Sequence, residues 1–261
     1  MAASADSLLP AMRAAMPLSF ETLNLGAGAA PMGLVIVDEV VGFAAPGGGN
    51  LAPPGEDADV ARMVAETDRL AKRFAASKRP IFAFLDSHEP GKPEPPYPPY
   101  CERGSGEDEF VAELRWLESE PQATLIRKDC INGFVGAMSD GRNRFVDWVG
   151  ENDLESLLVV GICTDICVMD LVLTLLSARN HEMMPGLVDI FVYESACATY
   201  DLPHEAAENL GLSPSLAHPK APAHHMGLYF MASRGAGSSN AFAKLSVFFP
   251  QLSILSTGHI V

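Results

Sequence analysis

Two thiols stand four residues apart in the stretch GICTDICVMD, as Cys163 and Cys167, behind an aliphatic run. Four chemistries use such a pair: a disulfide, a metal site, a nucleophile with a neighbour, or packing. Inside a regular helix an i, i+4 pair holds its β-carbons about 6 Å apart, too far for an unstrained bridge. A zinc site needs further thiols or imidazoles at CxxC or HxxxH spacing, and neither occurs nearby. Packing stays open, because free cysteine is among the most buried residue types. The nucleophile reading requires a stabilised thiolate, from a cation or a helix N-terminus. Three other stretches offer partners: Asp38 in GLVIVDEV, Asp86 and His88 in FLDSH, and Lys128 in LIRKD.

The elements that must position these groups follow from hydrophobic pattern. Five short runs rich in aliphatic and β-branched residues read as buried strands: 33–40, 80–88, 123–129, 156–165 and 188–196. Between them, Val60, Met63, Val64, Thr67, Leu70, Ala71 and Phe74 recur at helical spacing, and EDEFVAELRWLESE, RNRFVDWVGEN, VMDLVLTLLSARN and LPHEAAENL also read as helices. The Pro-dense loop EPGKPEPPYPPYCERGSG is neither helix nor central strand. Alternating strands and helices predict a three-layer α/β/α fold with a mainly parallel central sheet. Residues 1–32 read as an N-terminal extension, 33–236 as one domain and 237–261 as a C-terminal tail.

In open parallel sheets ligands bind beyond the carboxyl ends of the strands. Four strand ends therefore deliver Asp38, Asp86 with His88, Lys128 and Cys167 to one rim. Singly, an Asp after a strand reads as a turn or helix cap; together they read as a site. Thr164 or Asp165 is suited to cap the helix beneath Cys167. Cys167 as nucleophile, Lys128 as cation and Asp38 as proton carrier suit attack on an amide carbonyl. Backbone N–H groups of the strand-to-helix turn would hold the oxyanion. Cys163 then needs no chemical role.

The stretches LVIVDEVVGF, FLDSH, LIRKDCINGF and VVGICTDICV, with CINGFVGAM, FVDWV, ESACATYDLP and HHMGLY between and after them, resemble plant-type nicotinamidases of the isochorismatase-like cysteine hydrolase family. The resemblance covers roughly 33–236 and keeps the family's motif order. It implies hydrolysis of nicotinamide to nicotinate and ammonia, in NAD salvage, with Asp38, Lys128 and Cys167 as the triad. It also implies a cis peptide between Ile162 and Cys163, Phe43 lining the pyridine pocket, and Ile162 and Cys163 beside the substrate. A zinc-like divalent metal would be held by Asp86 and His88, with Glu94 as a further oxygen ligand. Ser87 and Ile166 stand where microbial members often carry aromatics, which predicts thinner aromatic packing of the ring. Tyr100 stands where the family has a second metal-binding His. A neutral phenol is a poorer ligand than imidazole, so the metal is expected to be weakly held. Two rival readings are a related hydrolase of another small acyl compound and a catalytically silent ligand-binding module with a structural Asp38–Lys128 pair.

Composition bounds the partners. With 261 residues, 48% hydrophobic and 20% charged, the chain reads as an ordinary globular domain. A formal charge of −15 argues against nucleic acid, which is bound through excess Lys and Arg. No apolar run reaches the roughly 20 residues of a membrane span, and no secretory h-region opens the chain. Five cysteines do not suggest a disulfide framework, so the expected setting is cytoplasmic. The expected partner is a small amide; self-association into a homo-oligomer is left open. PGGGN lacks the Lys-Ser/Thr ending of a phosphate loop. His224 and His225 are expected in surface or structural roles, Cys130 and Cys197 in packing, Trp116 and Trp148 in the core, and Cys101 as an exposed, oxidisable thiol.

Overall fold

The computed structural model describes residues 5–23, 25, 30–209 and 211–242. A seven-stranded sheet forms its centre: β1 (Glu21–Leu23), β2 (Met32–Val37), β3 (Ile81–Asp86), β4 (Ala123–Lys128), β5 (Ser156–Ile162), β6 (Asp189–Ala198) and β7 (Gly237–Phe242). The strands lie in the order β1-β7-β6-β5-β2-β3-β4, and every pairing is parallel. The expected three-layer architecture is therefore present. The sheet runs past both expected boundaries. β1 comes from the segment read as an extension, and β7 from the segment read as a tail. Three residues of β1 and the Ser-rich GSSNAF of β7 carry too little apolar pattern to announce a strand.

Side chains alternate across the pleat, so each strand feeds two cores. Leu34 and Ile36 of β2 pack with Val60, Met63, Leu70 and Phe74 of helix α1 (Ala58–Ala76). Val35 and Val37 pack on the other face, with Phe145 and Trp148 of α2 (Arg144–Glu151) and Leu171 and Leu175 of α3 (Met169–Asn180). Asp57 caps α1, accepting from the backbone N–H of Asp59 at 2.9 Å and of Val60 at 3.2 Å. The helix expected over 107–120 shrinks to a 3-10 segment, Ala112–Ser119. Its first residues are committed sideways: the carbonyls of Glu109 and Glu107 accept from Val41 and Gly42, and Val111 donates to Glu39. The single N–H of Val111 is spent on Glu39, and bonds to another segment hold the 107–111 backbone off the path of an α-helix.

Gly161 holds β5 against β2 just before the two thiols. Its φ is +127°, and a Cβ there would lie 2.1 Å from the Val37 carbonyl oxygen. The β5–β6 register also shifts between Val159 and Gly161. Gly161→Ala is therefore expected to cost more than about 3 kcal/mol, combining backbone strain with a clash against main chain that has no room to yield. Urea unfolding measures it; a loss within 1 kcal/mol would mean that β2 and β5 separate easily.

Candidate active site

β2 and β5 are neighbours although far apart in sequence, and the strand ends on either side of that junction carry the reactive groups. Asp38, directly after β2, has φ +55°. That left-handed turn is uncommon for a residue other than glycine and recurs at functional sites. Its backbone N–H donates to Phe84 O at 3.0 Å, which aims the side chain across β3 towards the end of β4. There Lys128 is fully buried, with Nζ 2.8 Å from Asp38 Oδ2 and 2.7 Å from Asp86 Oδ2. Nζ also donates to the Cys130 carbonyl at 2.9 Å. One ammonium between two buried carboxylates leaves a cluster that is one negative charge in excess when both acids are ionised.

Electrostatics sort the groups into roles. Burial raises the Asp38 carboxyl, Lys128 lowers it, and the balance leaves it pushed up to about 7. Lys128 is held well above the ordinary lysine value: burial works against its charge, but Asp38 and Asp86 outweigh that. The Cys167 thiol is raised by burial, with Lys128 the leading opposing influence, and it lies close enough to Asp38 to act on it as a donor. The oxygens of Asp38 nonetheless lack an aligned hydrogen bond, a looseness common before substrate binds. Burial raises the Cys163 thiol too, to about 12, with Asp165 the next influence upward. Cys167 thus sits as a buried thiol, held up by burial, close to a carboxylate pushed up to about 7.

The turn carrying Cys167 is wider than an α-helical one. Both Ile166 and Val168 donate to the Cys163 carbonyl, at 3.1 Å each, before α3 begins. The Ile162–Cys163 peptide is cis, as the resemblance implied. The expected caps are corrected: neither Thr164 nor Asp165 caps the helix. Thr164 Oγ1 donates to the Ala198 carbonyl at 3.0 Å and lies 2.8 Å from His224 Nδ1. Asp165 is drawn to Thr199 and His218.

Above the thiols lies a narrow cavity of about 30 Å³, partly open to solvent. Cys163 and Cys167 line it together with Phe43, Leu51, Tyr97, Tyr100, Ile166 and Tyr200. Phe43 thus shares the cavity with the two thiols. Ile162 does not: it is 1% exposed and belongs to the core beneath. The expectation of thin aromatic packing is also corrected. Three tyrosines, two from the Pro-rich loop and one after β6, supply rings that the positions of Ser87 and Ile166 do not.

Asp86 and His88 come together, with Oδ1 and Nε2 2.8 Å apart. Both atoms are buried and neither has an aligned hydrogen bond. Asp86 raises the His88 pKa against the effect of burial. Glu94 Oε2 stands 4.0 Å from His88 Nε2. It accepts from the Tyr100 hydroxyl at 2.7 Å, while Oε1 accepts from the Ile131 N–H at 3.2 Å. Among the described residues no group of three or more His, Cys, Asp or Glu is already gathered for a metal. Two orphaned donor atoms side by side, nitrogen and oxygen, fit one edge of a divalent site; Glu94 would have to leave Tyr100 to complete it.

Several bland readings hold and some fail. His224 and His225 point apart, His225 Nε2 lying 2.9 Å from the Met16 carbonyl. Cys197 and Trp148 are buried, while Trp116 is partly so and donates to Asp68 at 3.0 Å. Cys101 is corrected: it is fully buried rather than exposed, and burial raises its thiol. Glu39 escaped the sequence reading. It is fully buried beside Asp38, accepts from Thr67 Oγ1 at 2.6 Å, and burial raises its pKa well above the ordinary value. Its position one residue after Asp38 was the available signal.

This parallel sheet with a Cys–Lys–Asp cluster at its carboxyl rim is the framework of an amide-cleaving cysteine hydrolase, and residues 32–219 match the isochorismatase domain; the chain belongs to that family. It is 53% identical over 206 residues to Nicotinamidase 1 of Arabidopsis thaliana, covering 78% of this chain and 84% of that protein. Among solved structures, nicotinamidase PncA from Bacillus subtilis superposes with a TM-score of 0.59 at 22% identity, over 80% of this chain and 99% of that one. The pyrazinamidase of Pyrococcus horikoshii in complex with zinc gives 0.56 at 18%, over 80% and 99%. The N-carbamoylsarcosine amidase of Thermoplasma acidophilum gives 0.55 at 21%, over 80% and 95%. At such identities these structures speak for the fold.

Proposed function

We propose that the chain is a nicotinamidase, hydrolysing nicotinamide to nicotinate and ammonia through a thioester on Cys167. The observation that carries this is the convergence of Asp38, Lys128 and Cys167 beneath a cavity walled by Phe43 and three tyrosines. The Arabidopsis relative supports the choice of substrate. As sulfur attacks the carboxamide carbon, the Cys167 proton passes to Asp38, whose near-neutral pKa suits a group that must accept and return it. Backbone N–H groups of the 163–167 turn hold the oxyanion. Asp38 gives the proton to the amide nitrogen, ammonia leaves, and the acyl group remains on sulfur. Water then loses a proton to Asp38 and attacks the thioester; its collapse frees nicotinate and Cys167 recovers the proton. Lys128 stays an ammonium throughout, keeping a buried carboxylate ionisable.

Ammonia release from nicotinamide, with Cys167→Ala as control, tests this; a panel of small aliphatic and aromatic amides separates it from a related amidase. No release from any amide would favour the silent module. Five free cysteines fit a reducing, cytoplasmic setting, and none of the described helices is long and apolar enough to cross a membrane.

Asp86, His88 and Glu94 would hold a divalent ion such as zinc weakly, and a bound ion would supply a Lewis-acid contact at the ring; no step above depends on it. Tyr100→His would replace a poor ligand with imidazole and free Glu94 from its hydrogen bond. We expect Tyr100→His to retain close to one equivalent of zinc after gel filtration and wild type well below that, by elemental analysis. Equal, negligible metal in both would remove the metal from the account and leave the triad intact.

A further inference from the structure

Tyr200 lines the ring cavity, and another side chain backs it. The His218 ring lies flat on the Tyr200 ring, centroids 3.9 Å apart and planes 13° from parallel. His218 Nδ1 is 2.9 Å from the Tyr200 carbonyl oxygen, and Nε2 is 2.7 Å from Asp165 Oδ2. Both neighbours are acceptors only. A neutral imidazole has one N–H and can satisfy one of them; an imidazolium satisfies both. The pair is largely shielded, with 13% and 14% of the two side chains exposed. The other Asp165 oxygen accepts from Thr199 Oγ1 at 2.7 Å. The backbones of Leu202 and His218 exchange two hydrogen bonds, of 2.8 and 2.7 Å, which seat the 214–219 segment against the chain leaving β6. Asp165 lies two residues before Cys167, so one carboxylate ties the nucleophile turn to the aromatic wall. The proton-transfer steps use none of these groups.

We propose that His218, held as an imidazolium between Asp165 and the Tyr200 carbonyl, is a positioning residue that fixes Tyr200 as a rigid wall of the cavity and so sets the preference for flat aromatic amides over aliphatic ones. A charged ring stacked on a phenol restrains the phenol more firmly than apolar packing does. A wall fixed before binding spares the substrate the cost of ordering it. The inference rests on the nicotinamidase reading for its probe, and a binding measurement keeps the two separable.

His218→Ala should raise the KM for nicotinamide about ten-fold and leave kcat within about three-fold, the pattern of lost ground-state binding. The kcat/KM ratio of nicotinamide to isobutyramide should fall by a similar factor. Tyr200→Ala should behave the same way, and the double variant should be no worse than Tyr200→Ala alone, because His218 acts through Tyr200. Tyr200→Phe, which keeps the stacked ring and the backbone carbonyl, should raise the KM less than Tyr200→Ala does. Where His218→Ala does not fold, His218→Gln, which keeps one donor and loses the stack, takes its place. An unchanged KM, a fall in kcat alone, or additive losses in the double variant would overturn the proposal. Should wild type release no ammonia from nicotinamide, the proposed function fails and calorimetry decides the inference. Nicotinamide should then bind Cys167→Ala about ten-fold more tightly than Cys167→Ala/His218→Ala. Equal affinities, or no binding to Cys167→Ala, would overturn it.

Discussion

Cys167→Ala is expected to release no measurable ammonia from nicotinamide, while Cys163→Ala keeps turnover within about ten-fold of wild type. Both thiols line the cavity and both are buried, so position alone does not separate them. Their surroundings do. Lys128 and Asp38 act directly on Cys167, one easing its ionisation and the other available to take its proton. The Cys163 thiol is instead raised by burial, by Asp165 and more weakly by Asp38, and the groups that ease it are Thr199 and the Tyr200 backbone, neither of them a cation. Cys167→Ser should be nearly as inactive as Ala, because an alcohol is far harder to deprotonate than a thiol even with Asp38 beside it. The check is steady-state ammonia release, with mass spectrometry for an acyl adduct on Cys167 in rapidly quenched wild type. Equal losses at the two cysteines, or an adduct on Cys163, would move the nucleophile and with it the roles of Asp38 and Lys128.

What the sequence made legible is uneven, for a physical reason. Residues fixed to the ends of buried strands could be read, because apolar runs place strands and strands place their next residue. Asp38, Asp86, His88 and Lys128 were located that way. Residues whose neighbours are distant in sequence could not. Asp165 looked like a helix cap by type and position, yet its partners are Thr199 and His218, brought over by the β5–β6 pairing. Tyr97, Tyr100 and Tyr200 sit in irregular chain whose path no periodicity encodes. Cys101 seemed exposed among prolines and is fully buried. β1 has only three residues and β7 reads GSSNAF, so neither carries an apolar run, and pairing with neighbouring backbone makes them strands.

Removing Lys128 should damage the site differently from removing Asp38. In Lys128→Met two buried carboxylates, Asp38 and Asp86, lose the ammonium that stands 2.8 and 2.7 Å from them. Breaking a buried ion pair from one side typically costs about 3–5 kcal/mol, and Asp38 responds by holding its proton. Asp38 is already pushed up to about 7 by burial, with Lys128 holding it down. The carboxylate form is the one that accepts the thiol proton, so wild-type kcat/KM should fall as pH drops through about 7. That apparent value belongs to the coupled set rather than to Asp38 alone. Without Lys128 the folded-state pKa rises further, so the acid limb should move to higher pH and kcat at neutral pH should drop by about 10³-fold. Asp38→Asn removes the proton carrier itself, worth about 10²–10⁴ in rate. It leaves Lys128 paired with Asp86, so its melting temperature should stay nearer wild type than that of Lys128→Met. In the double variant the activity loss should match the worse single, since the residues work as a unit. Its stability should exceed that of Lys128→Met, because only one buried carboxylate is left unpaired. Full pH profiles with thermal melts of all three variants read these outcomes together. An acid limb that stays in place in Lys128→Met, or rate losses that multiply in the double variant, would show that Lys128 serves the fold and leaves the proton on Asp38 untouched.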